Sequence, residues 1–387
     1  MTHRVPSVPS RLAPPSAHAD RVFGLDLVRF LAVSLVLAAH AGDVFWPVWQ
    51  APRLLETLGV CGVELFFVLS GFLIGGIIID TIQRDSRWLA NFWLRRWMRT
   101  LPSYFVFLAV NVLLMQATYH RWPAFGSYTV FGQALFWPHP QFFNEAWSLA
   151  VEEVFYLLAP LLALAAWPLA RTRWHALGLL AFTVVAVAAL RYGYVRAYDP
   201  AFDAGVRKVT LIRLDAILYG VIAAYGCRRW AVGTDMRRAL AAGGIATAAV
   251  AIWMLASGRV DAEPWMRASF FALMSLGLAA ALPVPANAAG RGVPRPVRRV
   301  VRRGALWSYS LYLCNLPVQR IMIWRHIGAT TWLGCAAASV GFLAVSLTWA
   351  AANYAAVERP IMRARERVAS LFGLLPAAAL DDVVAAS

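Results

Sequence analysis

Ten runs of 18 to 25 mostly apolar residues follow one another along this 387-residue chain. They lie at about 22–44, 59–81, 100–118, 146–168, 175–195, 209–227, 238–257, 265–285, 304–325 and 332–355. A helix of that length crosses the ~30 Å hydrocarbon core of a bilayer. Backbone groups in lipid find no water, so a single run can span only if its hydrogen bonds close within the segment. Only 14% of residues are charged and mean hydropathy is +0.59, against about 25% charged in soluble domains. The expected fold is all-α: a polytopic integral membrane protein with about ten transmembrane helices around a central polar cavity. Residues 1–20, rich in Pro, Ser and Ala, are expected to form a disordered tail. Residues 21–360 read as one membrane domain, and 361–387 as a basic amphipathic tail lying on the inner leaflet. The first run lacks a small-residue cleavage site and reads as a retained helix.

The formal net charge is +16. Its distribution points to a membrane and away from nucleic acid. Of the 36 Lys and Arg residues, 24 fall in the two tails and in alternate connections, among them 83–99, 228–238 and 291–303. That asymmetry follows the positive-inside rule and sets both termini in the cytoplasm. The run RGVPRPVRRVVRRG (291–304) is expected as a loop lying on anionic headgroups. The four cysteines show no CxxC spacing and read as packing residues. No metal set is visible.

Several apolar runs carry polar groups, which are costly in lipid and mark functional pathways or ion pairs. Arg29 and His40 share the first run, eleven residues apart. Eleven helical steps return to nearly the same face, ~16 Å further along the axis. Glu64 and Ser70 lie in GVELFFVLSGFLIGG (62–76); a Ser there either bonds to its own helix or faces a ligand. Arg96 and Arg99 in NFWLRRWMRTLP (91–102) share one helix face. Paired guanidiniums suit bidentate phosphate binding or surface anchoring. In WSLAVEEVFYLLAP (147–160), Ser148, Glu152 and Tyr156 line one face. Arg29 and His40 are candidate partners for Glu152, in a structural ion pair or a working site. Arg213 and Asp215 lie in RLDAILYG (213–220), and Tyr309, Tyr312 and Asn315 in YSLYLCNLP (309–317). The aromatic loop 119–145 either forms an interfacial belt or stacks on sugar rings.

In order along the chain, these motifs resemble the membrane-integral acyltransferase-3 family, which O-acylates sugars and other hydroxylated acceptors. The resemblance rests on Arg29 with His40, GVELFFVLSGFLI, FWLRRWMRTLP, WSLAVEEVFY, RLDAILYG, SYSLYL and VERP. It implies acyl groups drawn from cytoplasmic acyl-CoA, usually acetyl-CoA, and a multi-pass protein of the bacterial inner membrane. It implies that Arg29 and His40 matter for activity, that Arg96 and Arg99 fill the RxxR position, and that Glu152 is the WSL-x-x-E carboxylate. Family members often have a histidine where this chain has Asn315. Many also carry an extracytoplasmic esterase-like domain. Without one, this chain is expected to acylate the acceptor itself or to hand the group to a separate protein.

The resulting expectation is an O-acyltransferase for a cell-surface or lipid-linked glycan. Its catalytic candidates are His40, Arg29 and Glu152, and its acyl-CoA-binding candidates Arg96, Arg99, Arg29 and Ser70. Candidate substrate-binding residues are Trp147, Ser148, Tyr156, Arg213, Asp215, Tyr312 and Asn315. His40 acts either as general base, its ring held by Asp43 or Glu152, or as a covalent acyl carrier. The alternatives are a glycolipid or acyl-group transporter without bond chemistry, and a membrane scaffold.

Overall fold

Helix α1 (Phe23–Gly42) and helix α2 (Pro52–Thr81) form the antiparallel pair on which the site is built. Gly62 lies against the Ala32 carbonyl and Gly59 against Ala39, so the two small residues fix the register of the pair. The computed structural model describes residues 23–45, 52–82, 87–325 and 330–374. The tail expected at 1–20 and the end of the one expected at 361–387 fall outside those residues.

Eight more long helices follow: α3 (Trp88–Tyr119), α4 (Ala146–Ala166), α5 (Arg173–Tyr198), α6 (Leu214–Arg229), α7 (Thr234–Ala256), α9 (Pro264–Ala281), α11 (Arg295–Trp324) and α12 (Trp332–Asn353). Short helices α8 (Arg259–Ala262) and α10 (Pro283–Ala286) link them, and α13 (Arg359–Leu371) closes the series. No strand occurs among the described residues. Eight helical segments there are long and apolar enough to cross a membrane. The two further expected spans are α6, with only 16 residues, and α11, whose first turns are rich in arginine. Both pack inside the bundle, α6 along α2 and α11 along α1, α3 and α12.

One expected loop is helical. Residues 295–303 form the first turns of α11. Proline in the first turn is compatible with a helix start, and the arginines of these turns point outward, exposed. Helix α13 docks on α3 through a bidentate Arg95–Glu366 pair at 2.8 and 3.1 Å. The aromatic loop is folded rather than splayed. Tyr128 is buried and donates to the Pro140 carbonyl, while Trp122, Phe136 and Trp137 are exposed. Three apolar cores result among the described residues. The first joins α1 to α4 with α6, α11 and α12; a second joins α5, α7, α9 and the segment around Phe202; a smaller third, with Val28, Val68, Leu69, Phe72, Ala224 and Ala279, joins α1, α2, α6 and α9.

Candidate active site

The first core encloses a cavity of about 720 Å³, including its open mouth, between α1, α2, α3, α4 and α11. On α2 it is lined at Val63, Phe66, Phe67, Ser70 and Leu73, a stripe of helical period. Ten residues of helix make that stripe ~15 Å long. On α4 the expected face, Ser148, Glu152 and Tyr156, also lines it.

Two hydrogen-bonded clusters mark the ends, ~12 Å apart on α4 by helical rise. At one end Arg96 Nη2 donates to the Tyr156 hydroxyl at 2.7 Å, its guanidinium lies 4.3 Å from the ring centroid, and Ser70 bonds the same hydroxyl. Glu152 faces Arg96, Arg99, Tyr156 and Ser70. Arg29 and Arg99 line this region too, Arg29 beside Asp26 at 3.7 Å. Arg96 Nε is buried without a hydrogen-bond partner. The sequence alternative of Ser70 bonding only its own helix gives way to a bond across to α4. The expected partners of Glu152 are Arg29 and His40; the cation that acts on it most strongly is Arg96, followed by Arg99.

At the other end Ser148 and Tyr312 share a 2.6 Å hydrogen bond, with Phe66 edge-on to Tyr312 at 6.1 Å. His40 lies just beyond. It does not line the cavity and is half-buried. Its Nδ1 bonds the side-chain oxygen of Asn315. The Asn315 amide nitrogen donates to the Leu311 and Tyr312 carbonyls at 2.9 and 2.7 Å. Both amide hydrogens are thereby committed, so the amide turns its oxygen, an acceptor only, toward His40. The neutral ring must then carry its proton on Nδ1 and leave Nε2 as the basic nitrogen. Gln319 Nε2 donates to the His40 carbonyl at 3.0 Å and to Asp43 at 2.8 Å. The expected ring holders were Asp43 and Glu152. The observed holder is Asn315, with Asp43 acting one bond further out and Glu152 at the opposite end.

Arg213 and Asp215 are not brought to the cavity. Each is fully buried: Arg213 pairs with Glu64, and Asp215 with Arg191 at 2.8 Å. The Arg213 guanidinium also covers the Phe271 ring at 3.5 Å from its centroid. Trp147 is buried, with its ring under the Arg207 guanidinium (4.9 Å) and against the edge of Phe67 (5.8 Å), so no face is free to stack on a sugar. Sequence reasoning passed over Arg191, Arg207 and Gln319. A lone arginine in TVVAVAALRYGY (183–194) was a usable signal; Arg207 and Gln319 look like ordinary loop and helix-end residues.

Outside the membrane-spanning segments, the π-helical turn Phe202–Arg207 holds Asp203 between Arg207 and Lys208. Burial opposes its charge, but the two cations hold its carboxyl down at about 2. Burial drives the Glu145 carboxyl up to about 8, against Arg320 and Asn111 nearby.

Comparison with known proteins agrees with this architecture. The family described as "Acyltransferase domain" matches residues 22–351. The peptidoglycan O-acetyltransferase OatA of Listeria monocytogenes is 32% identical over 154 residues, 35% of this chain and 23% of that protein. The putative peptidoglycan O-acetyltransferase YrhL of Bacillus subtilis is 28% identical over 161 residues, 37% of this chain and 24% of its own. Nodulation protein 10 of Rhizobium leguminosarum bv. viciae is 27% identical over 389 residues, 88% of this chain and 93% of that one. The match thus spans about a quarter of the length of the peptidoglycan enzymes and nearly all of the nodulation protein. No solved structure matches significantly. With the family matched from 22 to 351, across both ends of the cavity and His40, the chain is a member of the membrane-bound acyltransferase domain family.

Proposed function

We propose that this chain moves an acetyl or other short acyl group from cytoplasmic acyl-CoA to a hydroxyl of a cell-surface or lipid-linked glycan. It would do so as a multi-pass protein of a bacterial inner membrane. The observation that carries this reading is the grading of one cavity: guanidiniums of Arg29, Arg96 and Arg99 at one end, a histidine with a fixed tautomer beyond the other. A CoA thioester has the same polarity, polyanionic at one end and a neutral carbonyl at the other. The peptidoglycan O-acetyltransferase names of the relatives support acetyl as the group and a glycan as the acceptor.

The donor fits the residues present. Arg96 offers an orphaned, buried N–H, which a phosphate oxygen would satisfy in a charge-assisted bond. Arg99 and Arg29 add charge, and Ser70 a hydroxyl. Glu152, facing both Arg96 and Arg99, positions them. His40 Nε2 takes the proton from the acceptor hydroxyl. Asn315 keeps the ring in the tautomer that makes this possible and stays bonded to Nδ1–H as the imidazolium forms, the orienting role of a triad's third member. His40 then returns that proton to the departing thiolate.

The test is label transfer from radiolabelled acetyl-CoA in proteoliposomes supplied with glycan acceptor. Wild type should transfer label, and His40→Ala should lose essentially all of it while remaining folded in the membrane. Substrate movement without covalent transfer would instead identify a transporter.

A further inference from the structure

Acyl transfer needs more than a base. As the hydroxyl oxygen attacks, the carbonyl pair moves onto oxygen, and that charge needs donors placed in advance. The other end of the cavity is poorly placed to supply them, because its Arg96 guanidinium is held on Tyr156, on α4 two turns from Ser148. Among the described residues, the side chains at the His40 end with hydroxyl donors and a place in the cavity wall are Ser148 and Tyr312.

Their hydrogen bonds leave one proton weakly used. The two hydroxyls bond each other at 2.6 Å. The remaining acceptor is the Glu145 carbonyl, 3.2 Å from Ser148 Oγ and 3.4 Å from the Tyr312 hydroxyl. Both distances sit at the long edge for an O–H donor. One of the two protons is therefore held in a short mutual bond and the other in a poor one, ready to turn to a better acceptor. Both side chains are nearly sealed from solvent, at 5% and 8% exposure, where a charge-assisted bond is strongest. Phe66 braces the Tyr312 ring. The Tyr312 carbonyl in turn accepts from Asn315, so the hydroxyl pair and the His40 holder sit one turn apart on α11.

We propose that the Ser148–Tyr312 hydroxyl pair is the oxyanion-stabilising donor of the transfer step. The acceptor oxygen bonds to the thioester carbon while its proton goes to His40 Nε2. The carbonyl π pair becomes an oxyanion that receives the proton-donating contact now spent on Glu145. The pair then returns, the C–S bond breaks, and the thiolate leaves with the proton held by His40 as CoA thiol. This inference rests on the acyltransfer reading above.

The experiment measures initial rates of label transfer from radiolabelled acetyl-CoA into envelope glycans in inverted membrane vesicles, over a range of acetyl-CoA. Tyr312→Phe and Ser148→Ala should each lower the saturated rate about 10²-fold, the scale of a lost oxyanion donor. KM for acetyl-CoA should stay within about threefold, because the contact is made in the transition state. A saturated rate within about threefold of wild type, or a loss confined to KM, overturns the proposal. If Tyr312→Phe does not fold, 3,5-difluorotyrosine at 312 keeps the shape and alters only the acidity of the donor; an unchanged saturated rate there overturns it equally. Inactive wild type would sink the acyltransfer reading and this inference together, whereas an active wild type matched by active variants sinks this inference alone.

Discussion

At the scale of single residues, Asn315 is the most informative side chain. Its side-chain amide has both hydrogens tied to the Leu311 and Tyr312 carbonyls. Its oxygen has one task, to accept from His40. Asn315→Leu removes that acceptor and leaves the ring free to choose the wrong tautomer. The expected outcome is a fall in the saturated transfer rate of about 10²-fold or more, with little change in KM for acetyl-CoA. Asn315→Asp should be no better, since its second oxygen would meet two carbonyl oxygens. A near-normal rate in either variant would remove Asn315 from the mechanism. Much of the site was legible at this scale. The spacing of Ser148, Glu152 and Tyr156, and of Arg96 and Arg99, fixes a shared helix face, and the structure lines a cavity with all five. What spacing cannot supply is the partner across a helix interface. Arg213 and Asp215 look like neighbours in RLDAILYG, yet they pair with Glu64 of α2 and Arg191 of α5. Those ion pairs join segments more than twenty residues apart, and nothing local distinguishes them from a polar entrance.

At the scale of elements, α2 and α6 meet backbone to backbone. A Cβ at Gly71 would lie 1.8 Å from the Ile217 carbonyl oxygen, and one at Gly220 would lie 2.1 Å from that of Val68. Neither neighbour is a flexible side-chain end, so the helices would have to separate. The buried bridge from Glu64 of α2 to Arg213, the residue just before α6, would be stretched by such a shift. Gly220→Ala should therefore destabilise the fold by at least about 1–3 kcal/mol, read as a lowered melting point in detergent, and should reduce the amount of protein in the membrane. An unaltered melting point would mean that the crossing is looser than drawn. The loop entering α4 gives a second prediction at this scale. Glu145 is buried beside Asn111 and Arg320, with its carboxyl pushed up to about 8. A carboxyl raised in the fold favours the native state while protonated, so its contribution is full below the unfolded value of about 4.3. It declines as pH rises through about 8. Melting points measured from pH 5 to 9 should fall by several degrees across that window, and Glu145→Gln should flatten the fall. The existence of the spans was legible from their apolar length. The start of α11 was not, because arginines on exposed turns give the composition of a loop whether or not the backbone is helical.

For the whole molecule, the question is which side of the membrane each end of the site faces. The two ends lie on opposite sides of the bundle's middle: Arg29 and His40 are ~16 Å apart along α1, and α11 runs from exposed arginines at 295–303 to Gln319 beside His40. In the proposed orientation, the bias of basic residues puts the Arg295–Arg303 turns on the cytoplasmic side, the side from which the proposed acyl-CoA donor would enter. Asp43, exposed and bonded to the residue that holds the His40 backbone, would then face the other compartment. A donor and an acceptor approaching from opposite sides would never compete for one entrance, and water reaching His40 from outside would not need to pass the guanidinium end. The prediction follows directly. In a background with the four native cysteines replaced, Arg299→Cys should react with a membrane-impermeant maleimide in inverted vesicles and not in intact cells. Asp43→Cys should show the reverse. Labelling of both from the same side would mean that donor and acceptor share a compartment, and that the grading of the cavity from guanidiniums to imidazole does not run across the membrane.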